Sequence, residues 1–497
     1  MTQSLPERPN LEQLKKQAKT LLAEARAQQP GALARFDDLG GRPPALHDAQ
    51  RSLAREYGFP SWNQLRVHVE ALSRATGPFE DLAAAIRADN EPLVRSLLAG
   101  QPALAAIINE PLPGEGFGET ALIVAARRGH QGVVEALVNA GASVAVRSRW
   151  WAGSFSALDQ AKPELVPWLL ARGAPVDAVT AARHGLLDTL KKLVAADPAA
   201  VHARGGDGQT PLHVAATVPI ARFLVENGAS LDVRDVDHES TPVQYALRDR
   251  LEVARFLVEQ GCQTDLLIAA AIGDHTLVRH HLDRDPSCIR LDVSMASFPK
   301  MNPEAGGTIY IWTLGWYQTA HDLARRNGDQ ALVAFLLQAS PPSLRLAKAC
   351  EWGDQALLRT VTSAGPVPVD PRDEPKIVAA AHGNSVRGVS LMLGFGWSAT
   401  AEMNGATALH WSAWHGNAQL VQTLLAAEAP VSPKDGTHQT TPLNWALHGS
   451  RHSWERKSGD YGRVVSLLLE AGAAPPDADA DLDASDEAID AIRRAAR

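Results

Sequence analysis

Few residues in this 497-residue chain have the types and spacing that metal binding requires. His448 and His452 are four residues apart, a separation that places two imidazoles on one face of a helix. Gly449 and Ser450 lie between them and weaken any helix that would align the two side chains. The sequence therefore predicts no metal ligands.

Catalytic motifs are equally absent from the sequence. It contains no HExxH, no GxSxG, no Walker loop and no GxGxxG that opens a helix after a strand. Cys262, Cys288 and Cys350 are odd in number and lack any CxxC spacing, so neither a disulfide framework nor a zinc site is indicated. We predict no catalytic residue, no cofactor and a reducing compartment.

The composition favours closely stacked helices. Hydrophobic residues make up 45% of the chain but aromatic residues only 5%, so most of the core must be leucine, valine and alanine. The net charge of −8 argues against a nucleic-acid partner. There is no apolar run of about 18 residues and no secretory signal pattern, so we expect no membrane association and a cytoplasmic location. We also expect a monomer.

A sequence unit of about 33 residues recurs along the chain. The clearest copies have starting threonines Thr120, Thr210, Thr241, Thr407 and Thr441. Thr-Pro pairs suit the first turn of a helix, and Ala-Ala pairs let neighbouring helices approach closely. A glycine turn and a second apolar helix follow, and Gly-Ala ends the unit. Each unit is thus predicted to be two short antiparallel helices.

The unit resembles the ankyrin-repeat family, whose Thr-Pro-Leu-His-x-Ala signature stands at residues 210–215. The resemblance implies an all-α repeat solenoid of about twelve units over residues 78–477. It also implies that His213 and His410 form structural hydrogen bonds to the hairpin backbone. Degenerate units are expected at residues 79–110, 154–179, 178–206, 264–295, 316–340, 343–368 and 374–400.

Three departures from the family pattern stand out. Thr210 to Gly228 is 18 residues instead of the 21 from Thr120 to Gly141, so the helix turn there is shortened. Insertions occur at residues 295–318 and 449–461. Insertions in repeat arrays map to loops on one face, which is often the binding face.

The two ends of the chain differ from the array. Residues 1–76 are predicted to be helical, with LAREYGFPSW (53–62) as a run that resembles a segment preceding many bacterial ankyrin arrays. We expect this segment to cap the array. Residues 478–497 are acidic and then helical, and are predicted to cap the other end.

Eight of the 12 tryptophans lie between residues 312 and 454, and this is the strongest indication of a contact surface. Trp411 and Trp445 are predicted to be core residues. Trp414 and His415 fall where the family exposes its concave side, and we predict that they contact a partner. The other predicted contact residues are Arg127, Arg128, Trp151, Trp316, Arg326 and His448. Trp151 lies in the hairpin after the Thr120 unit, Trp316 lies in the 295–318 insertion, and the others occupy the position equivalent to Trp414 and His415 in their own repeats. A buried aromatic hairpin is the alternative for residues 147–151.

The sequence thus predicts a non-enzymatic scaffold that binds an unidentified protein or peptide. Two alternatives remain: a bacterial effector acting on host proteins, and an enzyme whose site is formed by the 295–318 and 449–461 insertions.

Overall fold

The structure is a computed structural model that describes residues 11–36, 43–66, 69, 77–476 and 482–495. It divides into two compact units, Ser73–Leu336 and a second unit that joins Met1–Leu72 with Leu337–Arg497. The predicted all-α repeat solenoid is confirmed. In the described ranges the strands form one short antiparallel ribbon, Glu402–Met403 with Ala406–Thr407. The predicted boundaries at residues 76 and 477 lie outside these ranges.

Successive pairs of short helices build the unit Ser73–Leu336. In chain order the pairs are Pro78–Arg87 with Glu91–Gly100, Ala121–Arg128 with Gln131–Asn139, Ala157–Gln160 with Val166–Ala171, Ala178–Arg183 with Leu187–Ala196, Pro242–Ala246 with Leu251–Glu259, Leu266–Ile272 with His275–Arg284, and Ala320–Arg326 with Gln330–Ala339. The helix Val218–Glu226 has a turn in place of its first partner. Shorter helical segments are Ala103–Ile107, Pro163–Leu165, Pro198–His202, Gly206–Gly208, Pro286–Arg290 and Tyr310–Thr313.

The first helix of each pair is the most deeply buried element. In Ala121–Arg128 the six residues from Ala121 to Ala126 are all inaccessible to solvent, because neighbouring helices pack on both sides. Small alanine side chains permit that close approach. Gly129 ends the helix with a φ of 80°, a left-handed conformation that favours glycine.

The unit that carries the literal signature lacks its first helix. Residues 211–214 form a turn, so the prediction that Thr210 begins a helix is wrong. With three residues fewer before Gly228, the chain is too short for both helices. The Arg250 guanidinium bonds the carbonyls that a helix would have satisfied: Nη1 donates to His213 O at 3.1 Å and to Ala215 O at 3.0 Å.

The predicted insertion at residues 295–318 is anchored to neighbouring repeats. Backbone N–H groups of Met301 and Asn302 each donate to the Glu239 carboxylate at 2.8 Å. Tyr310 is fully buried, and its hydroxyl donates to Asp265 Oδ2 at 2.6 Å. The insertion is therefore a built part of this unit.

In the second unit, the N-terminal helices are Leu11–Arg26, Pro30–Leu33 and Leu46–Glu56. Leu14, Ala18 and Leu21 of the predicted apolar stripe are buried in a core that these helices form among themselves. Arg26 Nη1 donates to Thr437 O at 3.4 Å, a contact with the array segment of the same unit.

The array segment of this second unit continues the pattern of helix pairs. Its pairs are Pro342–Trp352 with Gln355–Thr362, Lys376–His382 with Val386–Gly394, Ala408–Trp414 with Ala418–Ala426, and Pro442–His452 with Tyr461–Glu470. A last helix, Asp486–Ala495, packs on Tyr461–Glu470 and buries Ala488, Ala491 and Ile492. The capping role of the C-terminal segment stays a prediction.

Candidate functional site

A groove with a volume of about 860 Å³ lies in the unit Ser73–Leu336. Hairpin residues such as Phe117, Trp150 and Asp207 line it together with first-helix residues such as Arg127 and Tyr245. The lining residues extend from Gly116 to Thr313, so the groove crosses several successive repeats.

The groove combines aromatic surface with charges of both signs. Its aromatic lining residues are Phe117, Trp150, Phe155, Tyr245 and Trp312. Its charged or titratable lining residues are Glu119, Arg127, Arg183, Asp207, Asp237, His238, Arg248, Asp249, Arg250 and Glu304. A mixed lining of this kind suits a ligand that carries both apolar and polar groups, as a peptide does.

A cluster of carboxylates lies on the hairpin side of the groove. Burial raises the pKa of Asp207 to about 6, and the charges of Asp237 and Asp235 add to the shift while His238 opposes it. Asp235 has a structural role, because its carboxylate accepts hydrogen bonds from the Tyr245 hydroxyl at 2.9 Å and from the His238 N–H at 2.8 Å.

Asp207, Asp237 and His238 bring three possible metal-ligand atoms within 4.8 Å of one another. They come from hairpins about 30 residues apart, and no local spacing in the sequence announces them. This cluster was not predicted from the sequence. The only local signal was the concentration of acidic residues in the segment DVDHE at residues 235–239.

Two arginines of the groove lining are held by hydrogen bonds. Arg183 Nη2 donates to Gln209 Oε1 at 2.8 Å, and burial lowers the pKa of its guanidinium. Arg127, a predicted contact residue, donates to Glu119 at 2.8 Å and to Glu115 at 3.1 Å. Arg127 therefore lines the groove in a fixed orientation.

The other contact residues predicted for this unit lie outside the groove lining. Arg128 is 3.8 Å from Glu115, and the exposed Arg326 donates to Leu314 O at 3.0 Å. Trp316 is half-buried and lies 5.7 Å from the Tyr317 ring, measured between centroids.

The hairpin at residues 147–151 places its two tryptophans differently. Trp151 is 41% exposed. Trp150 is half-buried in the groove and makes an edge contact with Phe117, with ring centroids 4.5 Å apart. The contact role of Trp151 stays a prediction, and the alternative of a buried aromatic hairpin does not hold for this exposed ring.

A second candidate surface lies in the unit with Leu337–Arg497, where aromatic rings form a continuous cluster. We define the aromatic cluster by its members, His382, Trp411, Trp414, His415, Trp445, His448 and Trp454. Trp411 and Trp445 meet edge to face at 5.0 Å but are only half-buried, so the prediction that both are core residues is wrong. The Trp445 ring also lies 6.3 Å from Trp414, and the Trp411 ring lies 4.4 Å from His382, measured between centroids.

Trp414 and His415 do not share one environment. Trp414 is half-buried and its ring lies 5.9 Å from Trp454, which is 58% exposed. His415 is only 1% exposed, so the prediction that it is an exposed contact residue is wrong. Its Nε2 bonds His382 O at 2.9 Å, and the insertion residue Trp454 covers its ring.

His448 and His452 lie on one face of the continuous helix Pro442–His452, so the expectation that Gly449 and Ser450 interrupt this alignment is wrong. Gly449 is required by packing, because a Cβ there would lie 2.6 Å from Trp414 O. Both imidazoles bond Asp483 Oδ2 at 2.9 Å. All three side chains are about half exposed.

The signature histidines behave as the resemblance implies. His213 Nε2 bonds Ser240 O at 3.0 Å, and His410 Nε2 bonds Thr440 O at 3.2 Å, so the predicted hydrogen bonds to the hairpin backbone are confirmed. Burial lowers the pKa of His213 to about 4. It is therefore neutral at physiological pH and has a structural role.

The cysteines are poorly suited to nucleophilic chemistry. All three are free thiols. Burial raises the pKa to about 12 for Cys262 and Cys350 and to about 11 for Cys288. At neutral pH the reactive thiolate form is therefore scarce.

Ankyrin-repeat models match three parts of this chain: a model of three ankyrin repeats over residues 178–268, and a single-repeat model over residues 117–149 and again over residues 404–436. Together with the stacked helix pairs, these matches show that the chain contains ankyrin repeats. No curated protein matches the sequence. No helix in the described ranges combines the length and hydropathy needed to cross a lipid bilayer.

Proposed function

We propose that this protein is a non-enzymatic binding scaffold whose groove in Ser73–Leu336 holds a peptide segment of a partner protein. The carrying observation is the groove itself, about 860 Å³ in volume and lined by aromatic rings beside charges of both signs. Ankyrin repeats generally mediate protein–protein interactions. A cavity of this size accommodates a short stretch of an extended chain.

Binding in this proposal is surface complementarity without chemistry. Aromatic side chains such as Trp150 and Trp312 supply apolar contact area, and guanidinium and carboxylate groups orient the polar atoms of the peptide. Because repeats contact mainly their neighbours, the groove can change its specificity by surface substitutions while the buried alanines and leucines keep the frame.

The aromatic cluster is proposed as a second contact surface, and it lies in the tryptophan-rich region 312–454, which the sequence favoured for contacts. Trp414, Trp454 and His448 supply exposed ring edges there. Outside both surfaces, we keep as proposed contact residues Arg128, Trp151, Trp316 and Arg326. Residues 1–76 and 478–497 are proposed as caps of an array spanning residues 78–477.

Two exposed tryptophans allow a matched test of the two surfaces. Trp312 lines the groove and is 63% exposed, and Trp454 belongs to the aromatic cluster and is 58% exposed. Affinity capture with mass spectrometry, followed by titration of the captured partner, would compare Trp312→Ala, Trp454→Ala and the intact chain. Met301→Ala, at a 73% exposed position outside the groove lining, serves as the control.

We expect Trp312→Ala to weaken partner binding by about thirtyfold, the effect of truncating an interface aromatic worth about 2 kcal/mol. Loss with Trp454→Ala alone would move the main site to the aromatic cluster. Equal affinity in all variants would contradict binding through either surface.

The alternative functions are tested separately. The enzyme alternative needed both insertions at one site, but the groove lining includes residues of 295–318 and none of 449–461. The effector alternative has the same binding surfaces and differs in destination, which a translocation assay with a reporter fusion measures. We propose that the protein is bacterial, cytoplasmic and monomeric. Cell fractionation tests the location, and light scattering tests the oligomeric state.

A further inference from the structure

The cluster of Asp207, Asp237 and His238 has the arrangement of a partly built metal centre. His238 Nδ1 lies 2.9 Å from Gly307 O, and because a carbonyl only accepts hydrogen bonds, Nδ1 carries the proton. The other nitrogen, Nε2, then keeps its lone pair. A backbone carbonyl that fixes the imidazole tautomer in this way is the usual support of a metal-binding histidine.

One oxygen of the Asp237 carboxylate faces Nε2, the unprotonated nitrogen of His238. The Gly306 N–H donates to Asp237 O at 2.7 Å and, in a longer second bond, to Asp237 Oδ1 at 3.1 Å, while Oδ2 faces the histidine. Oδ2 lies 3.5 Å from His238 Nε2. That separation is too long for a hydrogen bond, but it is close to the distance of about 3.3 Å between two ligand atoms on a tetrahedral ion with bonds of about 2.05 Å.

The third oxygen comes from a different hairpin. A carboxylate oxygen of Asp207 lies within 4.8 Å of both other donor atoms. In the described part of the chain, neither Asp207 nor Asp237 has a lysine or arginine at ion-pair distance. Arg183, which also lines the groove, gives its Nη2 hydrogen bond to Gln209. The two carboxylates thus face each other without a direct cationic partner.

Gly306 leaves space open beside these donors. A Cβ at this position would lie 3.2 Å from Asp237 Oδ2 and 3.1 Å from His238 Cε1. All three donor residues and Gly306 line the groove, so an ion can enter from solvent. The donor types, one imidazole and two carboxylates, suit Zn²⁺ and Co²⁺ better than the purely oxygen-seeking Mg²⁺.

We propose that Asp207, Asp237 and His238 bind one divalent transition-metal ion of the Zn²⁺ type in the groove. The ion joins two successive hairpins to the insertion at residues 295–318, because the backbone of Gly306 and Gly307 holds two of the ligands. Three protein ligands leave at least one coordination position for water or for a carboxylate of a bound peptide. This site is independent of whether the groove binds a protein partner.

The test is Zn²⁺ binding to the full chain after removal of metals with a chelator, measured by equilibrium dialysis and calorimetry near pH 7.5. We expect saturable binding that Asp237→Asn and His238→Gln each weaken by about tenfold or more. Gly306→Ala keeps every ligand but fills the adjacent space, and we expect it to weaken binding as well.

The second histidine pair provides the matched control. The double variant His448→Gln, His452→Gln removes the exposed group around Asp483, and it should leave the groove site unchanged. Absence of saturable Zn²⁺ binding would overturn the proposal. Equal affinity in the Asp237, His238 and Gly306 variants would overturn it too, as would a loss confined to the His448, His452 variant.

A measurement on the unmodified chain covers the case in which a groove variant does not fold. Diethylpyrocarbonate acylates a free imidazole nitrogen, and peptide mass spectrometry reports the modification at His238 and at His448 separately. We expect Zn²⁺ to protect His238 from acylation. Equal modification of His238 with and without Zn²⁺ would contradict the proposal.

Discussion

Replacement of Arg250 by methionine should destabilise the unit Ser73–Leu336 more than any surface arginine does. Its side chain is only 19% exposed, and besides the bonds to His213 O and Ala215 O its Nη2 donates to Tyr245 O at 3.2 Å. A hydrogen bond to a charged group contributes about 1.5–3 kcal/mol. The three bonds share one guanidinium and are not additive, so we expect a loss of about 3–5 kcal/mol.

The measurement is urea unfolding of the full chain, with hydrogen exchange to locate the destabilised repeats. Methionine keeps the length of the arginine stem, so the difference reports mainly the lost hydrogen bonds. Arg95→Met is the control, since Arg95 is 46% exposed and pairs with Glu91 on a helix surface, worth below about 1 kcal/mol. Equal effects of the two substitutions would refute the idea that Arg250 replaces the missing helix.

Two further predictions concern buried groups. The pKa of His213 falls from 6.5 to about 4 on folding, so between these pH values the unfolded chain binds more protons than the folded chain. The free energy of unfolding should therefore fall by up to about 1.4 kcal/mol per pH unit as the pH is lowered from 6.5 to about 4. If the urea midpoint of His213→Gln depends on pH as steeply as that of the intact chain, this prediction is wrong. Gly449→Ala should lower the free energy of unfolding by about 1–3 kcal/mol, because the added methyl group would collide with Trp414 O. In Gly394→Ala no atom lies within 4 Å of the added Cβ, so thermal unfolding of this control should show no loss of stability.

The repeat frame was predictable because each local signal has a local cause. Threonine caps, alanine pairs and closing glycines act within a few residues of their own position. The helices Ala121–Arg128 and Ala408–Trp414 accordingly begin directly after the predicted threonines. Even the degenerate units correspond to helix pairs, since their apolar periodicity survives without the signature.

The aromatic cluster was predicted only in part, because the periodicity of one helix does not show what covers it. His410, Ser412 and Ala413 are fully buried in the helix Ala408–Trp414, whereas Trp411 and Trp414, three residues apart, share its outer face. The sequence analysis assigned these two tryptophans to opposite environments. His415 was misplaced for a different reason, since the insertion that buries it follows about 40 residues later.

The groove forms where the chain departs from the repeat pattern. At residues 211–214 a turn replaces the first helix, and Val214 of that turn and Ala216 directly after it line the groove. The insertion at residues 295–318 contributes Trp312 on another side, and its backbone holds the imidazole of His238. A regular ankyrin array would have a helix in place of the turn and a short hairpin in place of the insertion. The groove would then lose the lining residues that these two segments supply. Buried hydrogen bonds stabilise both departures: Arg250 bonds the turn, and Tyr310 of the insertion bonds Asp265. Irregular segments that are stabilised by buried contacts are expected where a repeat array forms a binding site.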